Sequence, residues 1–503
     1  MIQKFLDFVE RVGNRLPDPV TIFLAFCFLI LGVSWLGSLL SLSVTHPVEG
    51  TLIEVQNLFA KGQFQQIFTQ MVENFALFPP LGLVLVTMIG IGVAERSGLI
   101  TAALKKMVTL VPPVLLPATL VLGGVLSNMA ADAGYVVLTP LGAVLFAAFG
   151  RHPLAGLAAA FAGVSGGFSA NLLLTALDPL LSGLSTKSAQ VVDPNYIVHA
   201  SANYYFMLAS TLLIVLAGTF VTTKIVEPRL GEWKPQGGQG EDERELQTLK
   251  PREFKGLVAA MIVFVICSIA IFFSVYPEDA LFRADDGGIG PFYESLVPII
   301  MITFLMMGIV YGVIAGTIRG EKDVVSMSNE TMASMGGYII LAFIAAQFVA
   351  YFKWSNLGVI IAIAGAEFLQ MINLSGIPLM LSFIIVTGVL NIFIGSASAK
   401  WAIMGPVFVP MFMLMGYSPE LIQTTYRIGD SVTNIISPLL PYYPIIIAFA
   451  KKYDPKMGIG TLVSVMLPYS IVFFLLWSVM LISWMGLGLD LGPAAPLNYN
   501  LAP

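Results

Sequence analysis

Long apolar runs separated by short polar stretches organise this chain almost from end to end. Thr21 to Leu42, Tyr204 to Val226, Leu257 to Tyr276, Leu296 to Ile318 and Leu462 to Met485 each approach the ~20 residues that a helix needs to cross the hydrocarbon core of a bilayer. Helices are the predicted elements, because lipid leaves every backbone donor and acceptor to be satisfied internally and the alternation of a barrel strand is missing. The pattern predicts an all-α polytopic membrane protein with one membrane domain. Its largest polar interruption, Glu227 to Gly256, is rich in Gly, Pro, Glu and Arg. It reads as a cytoplasmic linker (227–256) between an N-terminal half (1–226) and a C-terminal half (257–503).

Two stretches break the simple pattern. The apolar run from Val111 to Gly150 lies between Lys105–Lys106 and Arg151, so both flanks are basic. It therefore enters and leaves on one side, as two full spans or as a re-entrant hairpin. Its centre, Ser127 to Gly134, is small and polar, which suits a hairpin tip, since irregular backbone at membrane depth is tolerated where it lines a cavity. A shift of 266 residues carries Pro112 onto Pro378, Pro140 onto Pro406, Gly150 onto Gly416, Pro153 onto Pro419, Gly163 onto Gly429 and Tyr135 onto Trp401. Pro and Gly control helix ends and breaks, so their coincidence points to an internal repeat. The second copy, about 376–416, has its own small polar tip at Gly395 to Lys400. Five crossings between the tips would invert one copy relative to the other, giving about nine spans and two hairpins. That count takes 336–372 as one broken span, whereas two spans around Lys353 would spoil the inversion.

Composition agrees: of 503 residues, 57% are hydrophobic and 11% charged, against roughly 25% charged in an ordinary soluble domain. The basic residues Arg96, Lys105, Lys106, Arg151, Lys224 to Lys255, Arg319, Lys322 and Lys451 to Lys456 mark the cytoplasmic side by the positive-inside rule, with the N-terminus inside. Met1 to Pro19 reads as an interfacial helix rather than a cleaved leader. Cys27 and Cys267 lie in apolar runs and suggest neither disulfide nor metal. His46, His152 and His199 are scattered, and no phosphate loop appears. No cofactor and no nucleic-acid partner are expected.

Ionisable groups inside a membrane are costly, so each is a candidate for function. Gln423, Arg427, Asp430 and Asn434 recur at i, i+4, i+7 and i+11 and share one helix face. Arg427 and Asp430 either neutralise each other at i, i+3, or Arg427 meets a substrate carboxylate while Asp430 binds or relays a cation; the two readings coexist. Asn171, Thr175 and Asp178 form a shorter stripe, although Asp178 also suits a helix end before Pro179. The tips offer Ser127, Asn128, Asp132, Asn391, Ser396 and Ser398 for an ion or a carboxylate, with Na+ near Asn128 and Asp430 one option. Trp401 either stacks on an aromatic solute or anchors the tip. Pro438, Pro441 and Pro444 break the helix after Asn434 and free backbone carbonyls.

The segments Ser127 to Phe146, Phe168 to Leu181, Asn391 to Phe412 and Tyr426 to Pro444 together resemble the p-aminobenzoyl-glutamate transporter (AbgT) family. The resemblance covers essentially the whole chain. It implies a homodimeric transporter of the bacterial inner membrane, with nine spans, two hairpins and a fold similar to divalent-anion/sodium symporters. It further implies uptake of p-aminobenzoyl-glutamate or export of sulfonamide antimetabolites, driven by an H+ or Na+ gradient. The family's functional positions fall here on Asp178, Trp401, Arg427, Asp430 and Pro438, with Asn391 and Ser396 near the second tip. A sodium-coupled dicarboxylate carrier and an intramembrane hydrolase using Asp430 and Asp178 are the competing readings.

Overall fold

A computed structural model of the chain describes residues 19–45, 51–109, 112–129, 134–233, 249–277, 279–285, 289–438, 440 and 442–500. Asp132, His46 and Pro441 lie outside the described residues, as does 234–248, half of the polar stretch between the halves. The described chain is almost entirely helical, with one short antiparallel pair, Ser43–Thr45 with Leu52–Glu54.

Among the described residues, seven helices are long and apolar enough to cross a membrane: Val20–Leu39, Tyr204–Leu230, Pro251–Val275, Leu296–Ala315, Gly336–Trp354, Gly376–Phe393 and Ile459–Leu487. Leu81–Arg96 and Leu99–Lys106, bent by 60° at Ser97–Gly98, make an eighth if taken together. The count differs from the expected nine because one crossing is the bent pair just named and two more are interrupted helices, while Gly376–Phe393, an arm of the expected second hairpin, is itself long and apolar enough to be counted. Pro153–Phe161 passes into a π-helical turn, Ala162–Gly166, loses helical form, and resumes as Leu177–Ala189. Pro419–Asn434 likewise stops and resumes as Tyr443–Lys451. Neither has an unbroken apolar window, since the breaks and the polar residues fall together. The stretch 336–372 holds Gly336–Trp354 and a 15-residue helix, Leu357–Met371, divided at Asn356, whose φ is 60°. By length and composition only the first is a crossing helix.

Each expected hairpin is a helix–break–helix unit whose two ends meet. The first runs through Leu116–Ser127 and Thr139–Ala148, and Arg151 Nη1 donates to the Pro113 carbonyl at 3.3 Å. The second runs through Gly376–Phe393 and Ala397–Met413, and the Gly376 N–H donates to Tyr417 Oη at 2.6 Å. Both finish on a glycine in the left-handed region, Gly150 at φ 69° and Gly416 at φ 89°, the conformation that a helix C-terminus asks of glycine. The next N–H then reaches back: Arg151 to the Phe146 carbonyl at 2.8 Å, Tyr417 to the Phe412 carbonyl at 3.0 Å. A capped helix with proline in its first turn follows each, His152 Nδ1 accepting from the Leu154 N–H and Ser418 Oγ from the Leu421 N–H.

The first arm of each unit packs on that following helix through a glycine. A Cβ on Gly163 would sit 2.3 Å from the Val121 carbonyl oxygen, and one on Gly429 2.5 Å from that of Ile384. Backbones approach this closely only across small residues. The two halves then interlock: Ala397–Met413 packs on Leu177–Ala189, and Tyr135 stacks on Tyr442 at 4.1 Å and 8°. A second apolar cluster, including Ile91, Ala94, Phe304 and Tyr311, joins Pro79–Arg96 to Leu296–Ala315 and Pro251–Val275. The outer face of Pro251–Val275 leaves Met261, Ile262, Phe272 and Phe273 exposed, as suits a helix facing lipid.

Candidate functional site

Helix Pro419–Asn434 carries the polar face read from the sequence, and it is buried nearly throughout. Arg427 and Asp430 are not each other's ion-pair partners. Arg427 Nη1 donates to Asp178 Oδ1 at 2.6 Å, and Lys400 Nζ donates to Asp430 Oδ1 at 2.5 Å. The i, i+3 pair gives way because a different element of opposite charge reaches each residue: the resumed helix Leu177–Ala189 on one side, the second tip on the other. Side-chain exposure is at most 5% in both pairs, so removing any one partner strands a charge in a medium that cannot solvate it.

Asp178 is the helix-end residue that its place before Pro179 suggests. It lies in the first turn of Leu177–Ala189, where Oδ2 accepts from the Thr175 N–H at 2.6 Å and from Thr175 Oγ1 at 2.9 Å; its other oxygen takes the guanidinium. The stripe Asn171–Thr175–Asp178, however, is not a helix face. Residues 167–176 are non-helical, and Asn171 satisfies the broken backbone instead. Its amide donates to the Val125 carbonyl at 3.0 Å and its oxygen accepts from the Leu172 and Leu173 N–H groups. A break at this depth needs such partners, because a backbone group left unpaired in lipid costs several kcal/mol.

Asn391 ties the second tip to the polar helix. Its Nδ2 donates to the Asp430 carbonyl at 2.7 Å, Thr433 Oγ1 at 2.9 Å and Asn434 Oδ1 at 2.8 Å, and its Oδ1 accepts from Lys400 Nζ. Trp401 is fully buried. Its ring lies 4.4 Å from that of Tyr426, and Nε1 donates to Ser185 Oγ at 3.0 Å. The chain continues from Ser185 to Gln423 at 2.6 Å and from Gln423 to Asn203 at 2.7 Å. In this conformation, then, the indole anchors the tip against the first half. Ser127 Oγ donates to the Gly124 carbonyl at 2.6 Å, behind the first tip.

A cavity of about 390 Å³ opens between the two tips. The first half contributes Asn128, Tyr135, Phe168, Thr175 and Leu177; the second contributes Tyr338, Ser396, Ser398, Asn434 and Tyr442. Asn128 Nδ2 and Tyr338 Oη are both buried without a hydrogen-bond partner, donors of the kind a bound solute would satisfy. Ser396 caps helix Ala397–Met413, and the first residues of that helix and of Leu177–Ala189 both line the cavity. Two helix N-termini therefore present their positive ends to it. Of the candidate polar residues singled out from sequence, Asn128, Thr175, Ser396, Ser398 and Asn434 line this space. Arg427, Asp178, Asp430, Asn391 and Trp401 stand behind it, and Pro438 lies in the break two residues before the lining Leu440.

The AbgT putative transporter family matches residues 4–499. The chain belongs to that family. It is 37% identical over 493 residues to the p-aminobenzoyl-glutamate transport protein of Escherichia coli K12, covering 97% of this chain and 96% of that one. Two solved structures share its fold. The YdaH transporter of Alcanivorax borkumensis superposes with a TM-score of 0.91 at 42% identity, over 95% of this chain and all of its own. MtrF of Neisseria gonorrhoeae, described as illuminating a class of antimetabolite efflux pumps, gives 0.92 at 46% over 98% of this chain and all of its own. This AbgT family member is thus a multi-pass membrane protein whose relatives are transport proteins rather than enzymes. Sequence reasoning passes over Lys400 as a buried partner, although a lysine inside an apolar tip is itself a signal. Ser185, Asn203 and Tyr338 carry none.

Proposed function

We propose that this chain is an ion-gradient-driven secondary transporter of p-aminobenzoyl-glutamate and of sulfonamide-type folate antimetabolites. The observation that carries the reading is the cavity between the tips. Its volume falls in the ~300–1,000 Å³ range of small-molecule sites. Its aromatic walls suit an aminobenzoyl ring, its unpaired Asn128 and Tyr338 donors suit a carbonyl or sulfonyl oxygen, and its two helix N-termini suit carboxylates. Asn128, Ser396 and Ser398 contact the solute; Ser127, Asn391, Trp401 and Pro438 hold the tips; Arg427 supplies the positive charge behind them. Asp430, Asp178, Asp132 and Asn434 carry the coupling to H+ or Na+, and no other cofactor takes part.

Transport follows from an inverted arrangement of the two units, similar to that of divalent-anion/sodium symporters, with 227–256 as the linker between halves. Support comes from where the unit ends lie. Arg151, at the end of the first unit, pairs with Glu227 at 2.5 Å, among the basic segments. Ser418, at the end of the second, bonds to Pro496 and Leu497, near the basic-poor loop whose Tyr196 and Asn203 hold Glu420. The same grouping supports a cytoplasmic N-terminus; placement in the bacterial inner membrane as a homodimer rests on the family resemblance alone.

A carrier of simple aliphatic dicarboxylates is disfavoured because the cavity is walled by the rings of Tyr135, Phe168, Tyr338 and Tyr442. Hydrolysis is disfavoured because each carboxylate is held by a different cation, away from the cavity. Reconstitution in liposomes with labelled p-aminobenzoyl-glutamate, under imposed proton and sodium gradients, tests the reading. Gradient-dependent flux is expected, and its absence for that compound sinks the proposal.

A further inference from the structure

The non-helical stretch 167–176 borders two cavities. Phe168 and Thr175 line the one between the tips, whereas Leu173 and Leu174 line a second, of about 300 Å³, shared with helices Pro251–Val275 and Leu296–Ala315. The transport reading gives this second space no role. Its two ends differ in character. Ser201, Tyr293 and Pro493 each lie close to the end of a crossing helix, in segments poor in basic residues. Phe304 lies about 12 Å along helix Leu296–Ala315 from its start, and Phe264 lies well inside Pro251–Val275. The cavity therefore runs from the membrane edge into the hydrocarbon region. Ser201 Oγ, at its outer end, is buried and has no hydrogen-bond partner among the described residues. The neighbouring Tyr204 hydroxyl is already committed, donating to the Leu172 carbonyl at 3.0 Å.

Lipid reaches this cavity from the side. On helix Pro251–Val275, Val265, Ile266 and Ile269 are exposed next to the lining Phe264 and Ser268, so the medium beyond that wall is hydrocarbon. An apolar slot with one unpaired hydroxyl at the membrane edge matches an acyl chain whose ester carbonyl accepts a hydrogen bond, with Tyr204 and Tyr293 at headgroup level. No Lys or Arg lines it among the described residues, and Glu294 is exposed beside Tyr293. A headgroup carrying an ammonium suits that mouth better than a net anionic one, which is held by basic clusters.

We propose that this cavity is a lipid site, taking one acyl chain of a zwitterionic phospholipid from the leaflet on the basic-poor side, with its ester carbonyl on Ser201 Oγ and its methylenes against Leu173 and Leu174. The chain braces the break, and so steadies the wall that carries Thr175 into the cavity between the tips. Purified full-length protein in detergent is titrated with dioleoylphosphatidylethanolamine while the melting temperature and the amide hydrogen exchange of 167–176 are followed. Wild type should gain roughly 3 °C, saturably, with slower exchange at 167–176. Ser201→Ala removes the hydroxyl and should move the titration midpoint to about fivefold more lipid. Thr303→Phe fills the cavity and should lose the response; if it does not fold, Ser201→Ala alone decides. Equal responses in wild type and the folded variants show only solvating lipid and overturn the proposal. So does exchange at 167–176 that the lipid leaves unchanged. Dioleoylphosphatidylglycerol or oleate acting as well as the ethanolamine lipid overturns the choice of a zwitterionic phospholipid. None of these readings depends on which solute is carried.

Discussion

Leu116–Ser127 crosses its neighbour at Gly163 just as Gly376–Phe393 crosses its own at Gly429, yet the two crossings differ in what flanks the contact. Val121, Val125 and Val164 stand at the first; Thr387, Asn391 and Asp430 stand at the equivalent positions of the second. The frame is therefore set by backbone devices, namely glycines at close approaches, left-handed glycines at unit ends and prolines at helix starts. Chemistry is laid on that frame by side-chain replacement in one copy. A solute can use two units with like backbone devices and unlike side chains.

The charged crossing gives the largest expected effect. Asp430→Ala leaves the Lys400 ammonium buried without its carboxylate and should cost about 3–5 kcal/mol, whereas Val164→Ala at the equivalent point removes only apolar bulk, about 2 kcal/mol. Denaturation midpoints of the two variants in one detergent check the difference, and equal losses would show that the charge pair adds nothing to the packing. Next come the crossing glycines. Gly163→Ala and Gly429→Ala each force a methyl into a facing carbonyl, and matched losses of about 1–3 kcal/mol are expected; tolerance at only one would break the equivalence of the frames. Gly150→Ala and Gly416→Ala place a side chain in the left-handed region and should each cost about 1 kcal/mol, read as a small and equal drop in midpoint. The smallest effect belongs to the cavity. Tyr338→Phe removes a hydroxyl that has no partner, so stability should hold or rise by under ~1 kcal/mol while solute affinity falls. Binding isotherms on both proteins decide it, and unchanged affinity would remove Tyr338 from the site.

Much of this architecture is legible in the sequence, for identifiable reasons. Apolar length marks a crossing helix, and the Pro and Gly positions that recur after 266 residues mark the two units, because those residues act on the local backbone. The polar face of Pro419–Asn434 is legible as a face. Its partners are not, since Asp178 and Lys400 arrive from 249 and 30 residues away along the chain and only tertiary approach decides which charge meets which. The stripe Asn171–Thr175–Asp178 misleads for a related reason. Helical spacing presupposes a continuous helix, and Asn171 is there to satisfy one that stops. Trp401 is legible as special but not as enclosed, because an indole at a tip reads alike whether its face meets solute or Tyr426.

The cavity walls come from both halves, Asn128 from one tip and Ser396 with Ser398 from the other. Its shape therefore belongs to neither half but to their relative position. Any solute that fits one position better than another changes the balance between positions by its difference in affinity, and the position reached changes that affinity by the same factor in return. Occupancy and conformation become two readings of a single equilibrium, which is the thermodynamic requirement for a carrier to respond to what it holds.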